Sequence, residues 1–519
     1  MPPPTCTFRR HILLLSLNDL SFTYEGSADP LFEHVSVSFP TGWSGIVGAN
    51  GAGKTTLLRL ACGELAANRG SVHRPGLTIY CPQRTDTPSE GLGQFLESLD
   101  PDAWELRGRL AVESDWLSRW DTLSHGERKR AQIAVALWRK PDVLALDEPT
   151  NHIDADARDL LAGALRAFRG VGLLVSHDRE LIDALCRQCV FVEPPSVTMR
   201  PGSYTEASEQ ARLEDQHVRD EYEQAKSAAE RLRREAIRRH ELASRADKRR
   251  SKRKIPVRDH DAKGKIDAVR VSGADGKAGR LAKQIDARVQ RAESRLGEFE
   301  IKRRYETSFW LDGSRSPRNL LFSIPAGSLK LGERRRLIFP ELAMQPEDRV
   351  AVTGPNGDGK STLIRHIIGA LTLPTDKVVY LPQEISLSES RAIMAEVNSL
   401  SREQLGTVMT MVSCLGSRPG RLVGSMESSP GEIRKVLLAL GVSKRPHLII
   451  MDEPTNHLDL PAIECLEEAL AGCPCGLLLV SHDLRFLSRL ATTRWHLSPG
   501  INGDVHLSIS AMPQDGPII

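Results

Sequence analysis

No stretch of this 519-residue chain approaches the roughly 18 consecutive apolar residues of a membrane-spanning helix. The longest apolar pieces, residues 12–15, 172–175 and 448–451, are strand-sized. Arg9 and Arg10 precede the first of them, but it is too brief for a secretory leader and runs straight into an expected first strand. Cysteine is scarce as well. Nine in a chain of this length do not make a disulfide framework. Cys186 and Cys189 stand as C-x-x-C and Cys473 and Cys475 as C-P-C, yet zinc needs four ligands in paired spacing. Packed or half-exposed thiols in a reducing cytosol are the expectation. Nor does charge of one sign dominate, and a net of +3 by itself implies no class of partner. What is present is a globular composition, 26% charged and 40% hydrophobic, with room for two to four domains. A cytoplasmic protein is expected.

The chain repeats itself. Residues 48–55, G-A-N-G-A-G-K-T, return as G-P-N-G-D-G-K-S at 354–361. L-D-E-P-T-N-H at 146–152 returns as M-D-E-P-T-N-H at 451–457, and V-S-H-D at 175–178 returns at 480–483. The offset is 306 from Lys54 to Lys360, 305 from Asp147 to Asp452 and 305 from His177 to His482. A constant offset over three separate motifs means two copies of one domain, expected over residues 1–205 and 303–519. Between them, residues 206–302 are charged and Ala-rich. Val218, Tyr222, Ala225, Ala229, Leu232 and Ala236 step by four and three, as do Leu281, Ile285, Val289, Ala292, Leu296 and Phe299. These stripes predict two helices on either side of a polar, Gly-containing segment at 240–279. An antiparallel helical hairpin follows, with a disordered linker as its alternative.

The first motif has a mechanical reason for its spacing. In G-x-x-x-x-G-K-[ST] the glycines let backbone N–H groups wrap a triphosphate, and the helix N-terminus that follows favours its charge. Gly48, Asn50, Gly51, Gly53, Lys54, Thr55 and Thr56 form the first cradle. Gly354, Asn356, Gly357, Gly359, Lys360, Ser361 and Thr362 form the second. The lysines reach the β- and γ-phosphates, and the hydroxyls of Thr55 and Ser361 bind Mg²⁺. Strands that end in acidic pairs supply the remaining chemistry. Asp147 and Asp452 would hold Mg²⁺ through water, while Glu148 and Glu453 would orient or deprotonate the attacking water. His177 and His482 end further apolar strands, placed to contact the γ-phosphate. Gln83 and Gln383, after Tyr-Cys-Pro and Tyr-Leu-Pro, suit metal and water sensing. A lone strand-end Asp-Glu could equally be a turn or a helix cap; followed by Pro-Thr-Asn-His in both copies, it reads as catalytic. ATP and Mg²⁺ are the expected substrate and ion.

With these motifs the chain resembles the ATP-binding cassette superfamily over both repeats. The implied fold is α/β, two P-loop ATP-binding cassette domains joined by an antiparallel α-helical hairpin. The family signature, usually Leu-Ser-Gly-Gly-Gln/Glu, stands as L-S-H-G-E at 123–127 and as S-S-P-G-E at 428–432. In that family one copy's signature closes over the other copy's phosphate loop. The resemblance therefore implies composite sites that pair Lys54 with Ser429 and Gly431, and Lys360 with Ser124 and Gly126. ATP would glue the halves, and hydrolysis would let them part.

Two D-E-P-T-N-H motifs in one chain, a charged helical linker and no membrane domain look like the ABC-F family of ribosome-associated ATPases. That resemblance implies a monomer whose cassettes pair within the chain and whose hairpin is directed, in the tRNA exit region, toward the P-site tRNA and peptidyl-transferase centre. Such a protein serves as a translation factor or protects ribosomes from antibiotics. The linker charge agrees in kind. Residues 231–254 hold twelve Lys/Arg against three Asp/Glu, a net of +9, whereas 209–230 hold seven acidic and three basic residues. Positive charge thus gathers toward the tip, in the run D-K-R-R-S-K-R-K at 247–254 with Lys263 and Lys265 beyond. Contact with rRNA and tRNA phosphates is expected of such a run, against a merely solvated charged helix. No aromatic platform accompanies it, so base stacking is not argued.

Four features depart from the family pattern. Asp358 takes a small-residue position in the second phosphate loop, where a carboxylate should weaken triphosphate binding. Tyr24 suits adenine stacking in the first copy, but the second offers only Leu331 near the equivalent place. His125 and Pro430 replace a signature glycine, and Ser428 replaces the leucine. Only 40 residues separate Gln83 from Leu123, which leaves a short helical subdomain. Unequal sites are expected, with the one on Lys360 the weaker. An ATPase subunit energising a membrane exporter is the alternative function, and a DNA-repair or chromosome-associated ATPase a third. Against the third, the helices here lie between the cassettes. A long connection at the hairpin tip favours resistance over housekeeping.

Overall fold

The computed structural model describes residues 13–151, 153–250, 274–298, 313–332, 335–417, 430–456, 458–500 and 503–513. By its internal contacts the chain divides into one unit of Met1–Ala207 with Tyr305–Ile519, holding both repeats, and a second of Ser208–Arg304.

In the first repeat β1 (Leu14–Phe22), β2 (Phe32–Pro40) and β4 (Arg69–His73) form an antiparallel sheet in the order β2-β1-β4. A second sheet runs β5-β6-β7-β3-β8-β9, from β3 (Gly42–Val47), β5 (Thr78–Cys81), β6 (Val143–Asp147), β7 (Val171–Val175), β8 (Cys186–Glu193) and β9 (Ser196–Pro201). All its pairings are parallel except β8 with β9. Every residue of β6 and β7 is buried, the run expected of a parallel strand covered on both faces. The two-residue period sorts them: Val143 and Ala145 pack beneath the phosphate-loop helix with Leu57 and Leu60, while Leu144 and Leu146 pack on the opposite face with Ile133 and Leu161. Each such side chain contributes about 1.5–3 kcal/mol. A charge at Leu146 would break this layer.

The second repeat is built likewise from β10 (Phe322–Ile324), β11 (Gly327–Leu331), β12 (Arg335–Phe339), β13 (Leu342–Met344), β14 (Arg349–Thr353), β15 (Val378–Leu381), β16 (Leu448–Asp452), β17 (Gly476–Val480), β18 (Thr493–Pro499) and β19 (Val505–Ala511). β10 pairs with β13, and the main sheet runs β11-β12-β19-β18-β14-β17-β16-β15. Leu448 and Ile450 face one core, Ile449 and Met451 the other, as in the first copy.

Strand ends feed helices through aspartate caps. Asp154 and Asp459 accept from the N–H groups of Ala157 and Ala462 to open the helices Ala155–Arg166 and Leu460–Ala471. Asp178 and Asp483 do the same for Arg179–Leu185 and Leu484–Leu490. Ser124 opens His125–Trp138 through a capping box with Glu127. The short subdomain after Gln83 holds the helices Leu92–Glu97 and Pro101–Arg109. Cys186, Cys189, Cys473 and Cys475 are free and buried. Among the described residues no group of three or more His, Cys, Asp or Glu could hold a metal, and no helix is long and apolar enough to cross a membrane.

The second unit is helical. A helix Tyr204–Arg250 of 47 residues is followed, after 251–273, by a helix Ala274–Glu298. Arg233 pairs with Glu293 at 2.6 Å and His240 with Asp286 at 2.8 Å. Both pairs sum to 526, so the helices run antiparallel, with Ala229, Ala236 and Ile285 buried. The first helix continues ten residues beyond the expected His240 boundary. Residues 241–250 are Glu, Leu, Ala, Ser, Arg, Asp and Lys, with neither Gly nor Pro to stop it. Residues 251–273, which include most of the expected connection, lie outside the described residues. The basic run from Ser251, with Lys263 and Lys265, lies outside the described residues, as do Ser428, Ser429, His152 and His457.

Candidate active sites

Each phosphate loop packs its first glycine against a neighbouring strand. A Cβ on Gly48 would lie 2.6 Å from the Val192 carbonyl oxygen, and one on Gly354 2.6 Å from that of Leu497. The glycines before the lysines, Gly53 and Gly359, have φ of 95° and 90° and cap the helices Lys54–Cys62 and Lys360–Ala370. Both lysines fold back over their loops. Lys54 Nζ donates to the carbonyls of Gly48 at 2.8 Å and Ala49 at 3.2 Å, and Lys360 Nζ to those of Gly354 at 2.7 Å and Pro355 at 3.0 Å. Burial lowers the pKa of each. A phosphate arriving here meets a cation already held in place.

Directly beyond each lysine, hydroxyl meets carboxylate. Thr55 Oγ1 donates to Asp147 Oδ2 at 2.8 Å, and Ser361 Oγ to Asp452 Oδ2 at 2.7 Å. Gln83 lines the first cavity with Thr55 and Asp147; Gln383 lines the second with Ser361 and Asp452. This all-oxygen donor set fits a hard divalent cation such as Mg²⁺.

The acidic residues that follow are buried and left-handed. Glu148 has φ 45° and Glu453 φ 50°, a conformation that costs a non-glycine residue about 1–3 kcal/mol and gathers at functional sites. Burial pushes the Glu148 carboxyl up to about 7 and raises that of Glu453 as well. His177 Nε2 lies 3.1 Å from Glu148 Oε1, and His482 Nε2 lies 3.5 Å from Glu453 Oε1. Burial drives both imidazoles below their ordinary range, His482 to about 4. Near neutral pH they are uncharged and can donate one hydrogen bond. His482 Nε2 also sits 2.9 Å from Asn356 Oδ1.

The cavity on Lys54, about 890 Å³, is composite. Tyr24, Asn50, Gly51, Gly53, Thr56, Glu148 and His177 meet Gly416, Ser417, Gly431, Glu432 and Lys435 of the second repeat there. The lining of the cavity on Lys360, among the described residues, comes from the second repeat alone, so Ser124 and Gly126 do not enter it. Gly126 instead packs against Ile153. Tyr24 is 47% exposed, stands edge-on to Phe22 and shares a 2.7 Å hydrogen bond with the Thr56 hydroxyl. Leu331 covers Gly359 as Leu31 covers Gly53, so it is the counterpart of Leu31, not of Tyr24. Asp358 is buried, with Oδ1 2.6 Å from the Arg335 guanidinium and Oδ2 without a hydrogen-bond partner among the described residues.

Several residues here were not singled out in the sequence. The Asn50 N–H donates to Asp459 Oδ2 at 2.7 Å, so an aspartate of the second repeat rests on the first phosphate loop. Its counterpart Asp154 lines a cavity with Asn356, Gly357 and His482. The two are offset by 305, and the shared motif running on to this aspartate was the missed signal. Tyr80 donates to Asp147 Oδ2 at 3.1 Å. Between the repeats, Arg179 is 6% exposed and forks onto Glu467, with Asp483 at 3.4 Å and Arg489 on the same Glu467 at 3.0 Å. Arg485 donates to Asp183 and to Thr205, and Tyr204 to Glu464, so the first turn of the linker helix is tied to both repeats. None of these charges has a partner legible from spacing.

Comparison with known proteins agrees with this geometry. The family model described as ABC transporter matches residues 32–151 and 340–456. The ribosome protection protein VmlR of Bacillus subtilis (strain 168) is 28% identical, over 97% of this chain and 89% of that protein. The tylosin resistance ATP-binding protein TlrC of Streptomyces fradiae is 28% identical, over 94% and 98%. Among solved structures, an archaeal ribosome recycling factor, aABCE1, aligns at a TM-score of 0.63 over 95% of this chain and 90% of that one. At 18% identity that is a likeness of fold. Two nucleotide cassettes in tandem, with helices between them and relatives along the whole length, leave one assignment: the chain belongs to the ATP-binding cassette superfamily as an ATPase of the ABC-F type.

Proposed function

We propose that ATP binding draws the two cassettes together, that hydrolysis releases them, and that the cycle acts on the ribosome near the tRNA and peptidyl-transferase region. The observation that carries this reading is similarity to a ribosome protection protein over 97% of the chain, linker included. In each site the glycine cradle and lysine bind the phosphates, and when the halves close the signature of the other cassette moves over them, Ser429 and Gly431 over Lys54, Ser124 and Gly126 over Lys360. Thr55, Gln83 and Asp147, and in the second site Ser361, Gln383 and Asp452, would hold Mg²⁺, which supplies charge neutralisation at the β- and γ-phosphates. Glu148 and Glu453 take the proton of the attacking water, and a raised pKa suits a base working near neutrality. His177 and His482 donate to the γ-phosphate.

The division of labour is residues 1–205 and 303–519 for the cassettes and 206–302 for the arm. The arm's basic tip meets rRNA and tRNA phosphates. The protein works as a cytoplasmic monomer, and its first linker turn, pinned by Glu464, Asp183 and Arg485, gives cassette movement a handle on the arm. Ribosome protection, rather than a housekeeping role, rests on the relatives' names. The two ATP sites are unequal, the one on Lys360 the weaker, with Asp358 in its loop.

The test is sedimentation of lysate through sucrose with ATP, using the Glu148→Gln/Glu453→Gln double variant. Trapping in the ribosomal fraction is expected. Co-fractionation with membranes would instead mark the ATPase subunit of an exporter, and free protein at the top of the gradient would remove the ribosomal reading. Expression in a susceptible host challenged with tylosin separates protection from a housekeeping role.

A further inference from the structure

In each cassette a cation from the signature helix is buried at the strand end that carries its glutamate. Lys129, on His125–Trp138, is 1% exposed. Its ammonium donates to the carbonyls of Pro82 at 2.6 Å, Asp147 at 3.3 Å and Gln83 at 3.4 Å. Arg434, on Pro430–Ser443 and 305 residues further on, is 4% exposed. Its Nη2 donates to the carbonyls of Asp452 at 2.9 Å and Glu453 at 3.0 Å. A cation stripped of water is tolerated only with acceptors around it, and here all the acceptors are backbone.

In each cassette one of those carbonyls, that of Asp147 or Asp452, belongs to the peptide plane that precedes the glutamate. The plane between Asp147 and Glu148 presents its C=O to Lys129 and its N–H to the Val175 carbonyl, at 2.8 Å. The plane between Asp452 and Glu453 presents its C=O to Arg434 and its N–H to the Val480 carbonyl, also at 2.8 Å. The glutamate beyond each plane is the left-handed one. A strained residue keeps its conformation only where its surroundings over-determine it, and this double grip does so.

We propose that Lys129 and Arg434 are positioning residues for hydrolysis, each fixing the peptide plane that aims the adjacent glutamate at the attacking water. The proposal rests on the reading of Glu148 and Glu453 as bases. Because each cation stands little more than one turn inside the signature helix, movement of that helix reaches the glutamate of its own cassette directly. The two grips differ. Lys129 joins the Gln83 loop to the glutamate strand in one cluster. Arg434 holds the carbonyls on both sides of Glu453 and leaves Nη1 buried without a partner among the described residues. Glutamine loop and glutamate are therefore tied together by this cation in the first cassette and not in the second.

The test is steady-state hydrolysis by the full chain with one site silenced. In a Glu453→Gln background, Lys129→Met should lower kcat about 30-fold and leave KM for ATP within about threefold, the split expected of lost alignment. Lys129→Arg should recover most of it, because Arg434 shows that a guanidinium fits the place. In a Glu148→Gln background, Arg434→Lys keeps the charge but loses the fork, and kcat should fall about threefold at an unchanged melting temperature. Turnover of Lys129→Met within twofold of its background, or no recovery by Lys129→Arg, overturns the proposal. If Lys129→Met does not fold, unchanged turnover of Arg434→Lys overturns it instead. Parental turnover in the single Gln backgrounds would remove the base assignment itself, a separate result.

Discussion

Ala52 in the first phosphate loop and Asp358 in the second occupy the same step of the repeat, and both are buried. One is inert, while the other introduces a carboxylate that, among the described residues, Arg335 meets on one oxygen. The same contrast recurs where the cassettes touch. At an offset of 305, Arg179 and Arg158 of the first copy correspond to Leu484 and Ile463 of the second, and Glu467 of the second to Ala162 of the first. In a homodimer every interface contact is made twice, residue i to j and j to i. A tandem chain makes each contact once, so its two faces can diverge, one taking a buried ion-pair cluster and the other apolar side chains. The lesson is that the repeats keep the chemistry of binding in common and differ in how they are held.

Several variants would break or sharpen that contrast. The largest effect is expected from the glutamates. Glu148→Gln should cut ATP turnover on the order of 100-fold or more and Glu453→Gln distinctly less, if the Lys54 site is the stronger as proposed. Equal losses, with equal nucleotide occupancy at both sites, would make the copies equivalent. Arg179→Ala comes next. It leaves the fully buried Glu467 with Arg489 alone, and denaturant unfolding should show a loss of about 3 kcal/mol. Leu484→Ala, at the matching place, removes no charge partner.

A comparable term, read through pH, comes from burial of Glu148. Its folded carboxyl keeps a proton up to about pH 7, whereas in the unfolded chain it ionises near 4.5. Stability therefore falls as pH rises between those values, by about 3 kcal/mol at most from this group. Glu148→Gln has no such term. In the absence of nucleotide it should unfold at a higher temperature than the parent at pH 8 and lose that advantage toward pH 4.5. The smallest effect is Asp358→Ala, which removes a buried oxygen with no partner among the described residues and should add about 1 kcal/mol of stability while tightening ATP at the Lys360 site severalfold. Calorimetric titration in the Glu148→Gln background reads the second quantity, and unchanged affinity would clear Asp358 of any role in the asymmetry.

Much of the fold could be read in advance because the parallel sheet writes itself as short apolar runs ending in polar motifs. Residues 143–146 and 448–451 became β6 and β16 with the acidic pairs at their ends. The linker helices followed from their four-and-three stripes, although the first ran further than its apolar pattern, since 241–250 hold helix-compatible residues with neither Gly nor Pro. Tyr24 was legible as an aromatic by the first loop, but not its hydrogen bond to Thr56. Arg335, Lys129 and Arg434 were not legible at all. Each acts on a group distant in sequence, and no spacing rule connects a helix cation to a backbone carbonyl 18 residues away.

By itself the amino-acid order determined that two nucleotide cassettes exist, which side chains line the candidate phosphate loop in each, and that a charged helical arm lies between them. These are local properties: a turn that needs glycine, a strand that needs apolar residues, a helix that needs a stripe. Tertiary structure alone decided that the Asp459 carboxylate would rest on the first phosphate loop, that Arg179 would be buried against Glu467, and that the Lys54 cavity would draw its far wall from the second repeat. Those contacts join residues about 290 to 410 positions apart. Nothing in the local pattern of either partner records the other, because they are brought together only by packing of the cores between them.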